Sequence, residues 1–459
     1  MGKESCINWG SLETYLSADI VVCGGGTAGV FAAIAAANEG ADVLLVESQG
    51  GLGGSAVGGL VIPYMTVRIP GEPRCSYLHK ELDRRVEEYF GEKYVKNSAD
   101  PIVFGIIQEQ MCAESGARVL LHATVCGARV EEGRIRAICV ACKDGIRKIE
   151  GKMFIDCTGD ASLAVQAGAE YTKGHPKSGV NQPMSLRYMV DGVDMAAFGD
   201  FLDSFGDSAT TSGRGGGSMY AAVWSKTESA LKPLFREAIA NGDLTEQDMA
   251  YWQMFRVPGR EKGLAFNNPE FFDLKDACDP LQLTEVQLRG KAFIFRQLLF
   301  YQKYFKGFDD AYISNIAPMV GVRESRRIRA KYELTGMDLL RQRKFPGCIS
   351  QCNYPVDVHG GADLFQDDLP EGDPEKPWYE IPYDSLVSVG LGNLLAAGRC
   401  AGADFVAQSS IRIQICCHSM GEAAGIAAAM SVERKAEPGQ IAGEEVSARM
   451  RERGADFIE

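Results

Sequence analysis

The segment Ile20–Glu47, IVVCGGGTAGVFAAIAAANEGADVLLVE, constrains this chain more than any other stretch. Ile20-Val21-Val22-Cys23 is a short apolar run of buried-strand type. It breaks at Gly24-x-Gly26-x-x-Gly29 and passes at once into an Ala-rich helical stretch ending near Glu39. A second apolar strand, Val43 to Val46, ends on Glu47. Strand, glycine turn, helix, strand and acid in one βαβ unit is the context a dinucleotide fingerprint needs and bare glycine spacing lacks. Gly24 allows the tight turn, Gly26 leaves room for the backbone to approach a pyrophosphate, and Gly29 lets helix and strand pack closely. Thr27 and Ala28 fall in the first helical turn, where free N–H groups and the dipole favour negative charge. Glu47, followed by Ser48, stands where a carboxylate can accept ribose hydroxyls and repel a 2′-phosphate. The alternative is a glycine turn in an ordinary α/β protein, and the full order of elements counts against it.

With 459 residues the chain can form two packed units, each with its own core. A formal charge of −13 with no basic stripe argues against nucleic-acid binding. No apolar run approaches the roughly 18 residues of a membrane span. The N-terminal residues MGKESCINWGSLETYLSAD lack an apolar secretory core, and Gly2 lacks the hydroxyl residue that myristoylation requires. The expectation is a cytoplasmic protein with neither nucleic acid nor membrane as partner. The 14 cysteines read as reduced thiols, mostly small core residues. Cys139 and Cys142 should point to opposite faces of one strand. Cys348 and Cys352 read as flanking a loop, without the further ligands of an iron–sulfur cluster. Cys416-Cys417 reads as helix packing, and no zinc spacing is present.

The run Gly50 to Gly59 leads straight into Leu60-Val61-Ile62. Such glycine density makes a loop whose backbone can lie against a ligand, or else a flexible surface loop. Residues 75–90 and 101–116 look like amphipathic helices, the first within a helical excursion over 71–100. From Arg118 the pattern turns to β. Turns at Glu131-Glu132-Gly133 and Lys143-Asp144-Gly145 predict a small antiparallel meander. It returns at Met153–Asp156 to a second glycine turn, Cys157-Thr158-Gly159-Asp160. The aromatic-rich segment from about 180 to 385 is read with helices near 219–241, 244–255 and 281–305. Thr284-x-x-Gln287 serves as capping box, and Leu288, Ala292, Phe295 and Leu299 keep helical spacing. The acidic loop 359–377, with Asp363, Asp367, Asp368, Glu371, Asp373 and Glu375, is a surface excursion or a lid. Leu394 to Arg399 is a buried strand ending in glycine. From Ser409 a long Ala/Gly/Cys-rich helix has almost no polar face after Glu422, so it must be buried on nearly all sides.

In the same order, these motifs resemble two-dinucleotide-binding-domain flavoproteins, including the fumarate reductase and glutathione reductase groups. More closely, the chain resembles the bacterial FAD-dependent oxidoreductase family. The matching segments are VGVRESRRIRAKYELTGMDLL (320–340), NYPVDVHG (353–360), WYEIPYDSLV (378–387) and NLLAAGRCAGADFVAQSSIRIQICCHSMGEAAGIAAA (393–429). The resemblance implies an α/β fold. A Rossmann-like FAD-binding domain would be built from 1–70, 101–185 and 385–459, with an α+β substrate domain inserted over 186–384. It puts the adenine end near Glu47 and Val125. Gly53, Gly54, Ser55 and Gly59 lie in the run that approaches the pyrophosphate, ribityl chain or flavin, and Thr158, Gly159 and Asp160 support the nucleotide edge. Ser409, Ser410, Ile411 and Arg412 would present helix-start N–H groups to the flavin pyrimidine. Physical chemistry agrees, because reduced flavin gathers negative charge there. Many relatives carry a ribityl-binding acid where this chain has Arg399, and Asp404 is the candidate to replace it.

Of the five histidines, His359 ends a strand-like run and opens into a loop, and is the leading proton-handling residue. The alternative is a solvated or capping histidine. His418 reads as a core histidine, His79 and His175 as surface residues, and His122 as part of a strand. Among Arg323, Arg326, Arg327 and Arg329, clustered guanidinium groups suit carboxylate binding, with Arg323 favoured and Arg327 and Arg329 structural. The expectation is an FAD-dependent oxidoreductase that oxidises a small organic substrate by hydride transfer to flavin N5. His359 would accept the proton, Arg323 or Arg412 would polarise substrate or flavin, and an electron acceptor of unknown identity would follow. Two alternatives are fumarate-reductase-like reduction of an activated C=C bond and a non-catalytic electron-relay subunit. An NAD-only dehydrogenase is disfavoured by the Gly53–Gly59 run.

Overall fold

The computed structural model describes residues 7–207, 211–212, 219–224, 228–359 and 375–459. The acids of the 359–377 loop up to Asp373 therefore lie outside the described residues.

Strand β1 (Thr14–Cys23) is exposed where it begins and buried where both neighbours flank it. Helix α1 (Thr27–Asn38) follows the glycine turn and leads to β2 (Val43–Val46), which pairs parallel to β1 with Ile20 opposite Val43 and Cys23 opposite Val46. Helices α2 (Tyr77–Phe90) and α3 (Pro101–Ser115) precede β3 (Arg118–Leu120), which extends the sheet beyond β2. The meander is β4 (Thr124–Glu131), β5 (Arg134–Cys142) and β6 (Gly145–Asp156), and β6 returns parallel to β1. Here β6 forks. Its first half pairs antiparallel with β5, and its end pairs parallel with Leu394–Ala396. Asn393 fills the fork: its amide donates to the Ile135 carbonyl at 2.8 Å and the Lys152 carbonyl at 2.9 Å, and accepts from the Ile135 N–H at 2.8 Å. Backbone groups that lose a ladder partner are thus satisfied by one side chain. The carboxyl ends of β1, β2, β6 and Leu394–Ala396 meet along one sheet edge, the mixed α/β arrangement expected from the sequence.

A second, six-stranded antiparallel sheet has its own aromatic core. Its order is Thr211–Ser212, Tyr220–Trp224, Tyr251–Arg256, Leu264–Phe266, Tyr188–Asp191 and Tyr312–Ile316. Two of these strands fall where helices are predicted. Residues 219–241 hold the strand Tyr220–Trp224 and the helix Lys232–Ala240, and 244–255 hold the short helix Glu246–Ala250 and the strand Tyr251–Arg256. Aromatic YAAVW and YWQMF segments pair with each other, and that pairing overrides the local helical bias. The long helix Pro280–Tyr304 starts at Asp279, which caps Leu281 N–H, whereas the Thr284 hydroxyl bonds back to the Pro280 carbonyl. Its predicted stripe faces outward, with Leu288 66% and Phe295 60% exposed. Val286, Phe293, Ile294 and Leu298 face the core instead. The helix is apolar on two faces, and periodicity cannot say which one is covered. Cys348–Cys352 form one buried strand paired with Tyr379–Pro382, not the rims of a loop.

The predicted C-terminal helix is two helices, Phe405–Ile411 and Gln414–Arg434. The second passes, by length and composition, for a membrane span, which a search for uninterrupted apolar runs misses. Yet 89% of its apolar window is buried in the protein. A Cβ at Gly421 would land on the Ala28 carbonyl oxygen and one at Gly425 on the Ala32 carbonyl oxygen, so this helix and α1 touch backbone to backbone.

His418 is a core residue as expected, but His79 is equally buried and not on the surface. The apolar face of α2 carries it inward beside Leu78, Leu82 and Val86. The two rings meet Nδ1 to Nδ1 at 2.8 Å, with Phe31 stacked on His418 at 4.0 Å. His122 lies in the bend between β3 and β4 at φ 56°, and His175 is half-buried against Phe405.

Burial, then the Arg74 charge, pushes His79 down from 6.5 to about 3, and burial with His79 pushes His418 down as well. Both are neutral when folded, while the unfolded chain takes up protons below its ordinary value of about 6.5. Stability should therefore fall as pH drops from about 6.5 toward 3, by about 1.4 kcal/mol per unit for each histidine. Urea unfolding at pH 7 and pH 5 should differ by about 2–4 kcal/mol from this pair, and a His79→Leu/His418→Leu variant should flatten that slope. An unchanged slope in the double variant would show that other groups set the acid sensitivity.

Candidate active site

A cleft of about 440 Å³ runs along the carboxyl edge of the parallel sheet. Gly24, Gly26, Thr27 and Ala28 form its floor at the start of α1. Gly24 has φ 97°, and a Cβ there would sit 2.5 Å from the Cys157 carbonyl oxygen, so the turn itself demands glycine. Gly29 does not line the cleft. A Cβ on it would strike the Gly24 carbonyl, so its duty is the closure of helix on turn. Gly26 is different. A Cβ there would meet nothing nearer than the Gly54 Cα at 3.6 Å, an ordinary contact. The fold does not need glycine at that position, and the reason for it lies in the cleft, where a pyrophosphate requires close backbone approach.

Glu47 and Ser48 line the same cleft. The Glu47 Oε2 accepts the Gly25 N–H at 2.6 Å and Oε1 accepts the Gln49 N–H at 2.7 Å. Oε1 also accepts the Ser48 hydroxyl at 3.0 Å, so the carboxylate is held rigid at the strand end and Oε2 keeps a lone pair for a hydroxyl. Val125 lies across from it. Of the glycine run, Gly54 and Ser55 line the cleft. Gly53 turns at φ 101° against Val57, and Gly59 packs back on Ser55. Thr158, Gly159 and Asp160 reach the cleft from the end of β6, the Thr158 hydroxyl anchored on Asp156 at 2.7 Å.

Arg399 also lines the cleft, 3.3 Å from Asp160 and so close beneath Gly159 that a Cβ would lie 2.5 Å from its Nη2. Asp404 does not substitute for the absent acid. Its Oδ1 caps the helix Phe405–Ile411 through the Ala407 N–H at 2.7 Å, and its Oδ2 accepts the Gly336 N–H at 2.9 Å. An Asp at a helix N-cap is held by that duty. Ser410 is buried with its hydroxyl on the Pro355 carbonyl, and Ile411 is buried in the core; neither lines the cleft. Arg412 does, at the junction of the two helices.

Behind Arg412 runs a line of alternating charge. Its guanidinium holds Asp357 at 3.1 Å, and Asp357 faces His359 Nε2 at 3.3 Å. The other ring nitrogen, Nδ1, lies 3.2 Å from Glu270, which pairs with Arg323. Arg323 also donates to the Pro183 carbonyl at 2.8 Å. Burial alone would raise both acids. The Arg323 charge and His359 instead hold Glu270 below the usual carboxylate range, and His359 and Arg412 hold Asp357 well below it. The structure therefore joins Arg412, His359 and Arg323 but puts only Arg412 on the cleft wall. Arg326 donates to the Asp160 carbonyl, Arg327 pairs with buried Glu324, and Arg329 pairs with Glu333 on the surface. The Glu270 contacts and the Asp357–Arg412 pair escape sequence reasoning because those partners lie more than fifty residues apart along the chain.

This geometry, a glycine cradle and a fixed acid along one sheet edge, defines a dinucleotide-binding protein of the α/β class. The model for the family described as FAD dependent oxidoreductase matches residues 19–450, and the chain belongs to that family; its cofactor is FAD. It is 31% identical over 160 residues to thiamine thiazole synthase from Methanococcus aeolicus, a match covering 32% of this chain and 58% of that one. The chain thus spans little more than half the length of that curated relative. Among solved structures it is similar to a geranylgeranyl bacteriochlorophyll reductase-like protein from Thermoplasma acidophilum, at 13% identity and a TM-score of 0.45, over 95% of this chain and 83% of that one. It is also similar to p-nitrophenol 4-monooxygenase from Pseudomonas putida, at 10% identity and a TM-score of 0.48, over 94% and 84%.

A Gly26→Val variant should fold normally, because the added atoms enter the cleft. It should retain FAD at least about tenfold more weakly, the factor that ~1.4 kcal/mol of lost contact gives. Circular dichroism and flavin absorbance after gel filtration check both halves of that expectation.

Proposed function

We propose that the protein oxidises a small organic substrate at a C–H bond, with His359 taking up the proton released. FAD, when bound, supplies hydride acceptance at flavin N5. Gly24, Gly26, Gly54 and Glu47 would hold the adenylate half, and Arg399, Asp160 and Arg412 flank the rest of the cleft. The chain's own share is to orient the substrate and carry one proton.

The observation that carries this reading is the position of His359 between two carboxylates. Glu270 and Asp357 are held ionised by neighbouring cations and act as fixed counter-charges. An imidazole is the side chain suited to exchange a proton near neutral pH. With an acceptor at each ring nitrogen, the doubly protonated ring is matched on both sides. In the proposed step the proton comes from a substrate O–H or N–H as the adjacent C–H bond breaks. The same match supports a second reading, in which protonated His359 donates during reduction of an activated C=C bond. We also propose a cytoplasmic setting, supported by every described cysteine being a free thiol. Recovery of the protein with secreted or periplasmic material would argue against it.

Anaerobic flavin reduction by candidate alcohols and amines should speed up as pH rises through one ionisation. His359→Gln should remove that limb and slow reduction by about 10²–10⁴-fold. Reoxidation by enoates that slows as pH rises would instead support the second reading. Full turnover with an unchanged pH profile in His359→Gln would remove the histidine from either mechanism.

A further inference from the structure

Among the described residues, the charged line behind the cleft leaves one cation unmatched. Arg323 is answered by Glu270 and Arg412 by Asp357, and His359 shares both carboxylates. Arg187 is not answered by any described residue. It lies between the strands Met184–Ser185 and Tyr188–Asp191, with its carbonyl tied to the Ala317 N–H at 2.9 Å. Its half-buried guanidinium has no hydrogen bond or ion pair among the described residues, yet it stands in the field of Arg323, Tyr251, Glu270 and Arg412. Burial, then the like charge of Arg323, pushes it down to about 10, a measure of how poorly this cation is compensated.

A second unsatisfied donor lies on the same segment. Gln182 is 1% exposed, and its side-chain oxygen accepts the His359 N–H at 3.4 Å. That bond sets the amide orientation and leaves Nε2 buried without a partner. A buried donor without an acceptor costs free energy, and a half-buried cation without a counter-charge adds to that cost. Both costs vanish if a carboxylate arrives, since a guanidinium fork and an amide N–H₂ together match its two oxygens.

Arg187 is not part of the nucleotide cleft. Of its neighbours, Tyr251 lies in the six-stranded sheet and Glu270 in the ladder with Met184–Ser185, and neither of them nor Arg187 lines the cleft. We infer that Arg187, assisted by Gln182, anchors a carboxylate of the substrate and so brings the reacting carbon of an organic acid beside His359. This rests on the FAD-dependent reading above and narrows its substrate class to small carboxylic acids, in either direction of the reaction.

The test uses the full chain carrying FAD, titrated with benzoate, malonate and oxalate and with the matching amides benzamide, malonamide and oxamide. The readouts are the flavin absorbance difference spectrum and the melting temperature. At least one acid should perturb the flavin saturably while its amide does not. Arg187→Met should raise the Kd of that acid by at least about tenfold with FAD content unchanged, and Arg187→Lys should recover part of the loss. Gln182→Leu, which alters no charge, should weaken the same acid by a smaller factor. Binding of the amide as tightly as the acid, no response to any acid, or an unchanged Kd in Arg187→Met would each overturn the inference. A protein that holds FAD but no acid sinks this inference alone. One that cannot hold FAD sinks the reading beneath it.

Discussion

The contact on which the rest depends is the backbone-to-backbone seam between α1 and Gln414–Arg434. Gly421 lies on Ala28 and Gly425 on Ala32, so close that neither glycine could carry a side chain without moving a helix. Close packing of small residues holds α1 against the sheet and fixes the start of the second helix next to the glycine turn. Arg412 and Cys417 thereby reach the same cleft as Gly26 and Thr27, although nearly the whole chain separates them. Were the seam looser, the cradle could survive but its far wall could not.

A second constraint is electrostatic. Gathering four charged groups, Arg412, Asp357, Glu270 and Arg323, around one histidine is tolerable because they alternate in sign along the line. The arrangement holds the acids ionised on either side of the imidazole. It draws on elements far apart in the chain: Arg412 follows the helix Phe405–Ile411, whereas Glu270 opens a two-residue strand paired with Met184–Ser185. The two halves of the molecule are coupled by charge as well as by apolar contact.

The β6 fork shows the same economy in the backbone. One strand serves the antiparallel meander with its first half and the parallel sheet with its end, and Asn393 satisfies the groups exposed at the split. The result brings four strand ends to one edge, each carrying a glycine turn or the acid that lines the cleft.

Much of this was legible from residues alone, for a physical reason. The turn, the helix start, the Glu47 strand end and the β-meander depend on neighbours within about thirty residues and on backbone angles that only glycine adopts easily. Local dependence of that kind leaves a pattern in the order of residues, enough to specify the βαβ unit, the α/β class and the FAD family. Tertiary structure alone decided the rest. It turned His79 inward and Leu288 outward, made strands of Tyr220–Trp224 and Tyr251–Arg256, and held Asp404 as a helix cap. It also brought Glu270, Asp357 and Arg187 around His359. Which of two apolar faces is covered, and which distant charges meet, depends on elements far apart in the chain, and such pairings leave no periodic trace in sequence.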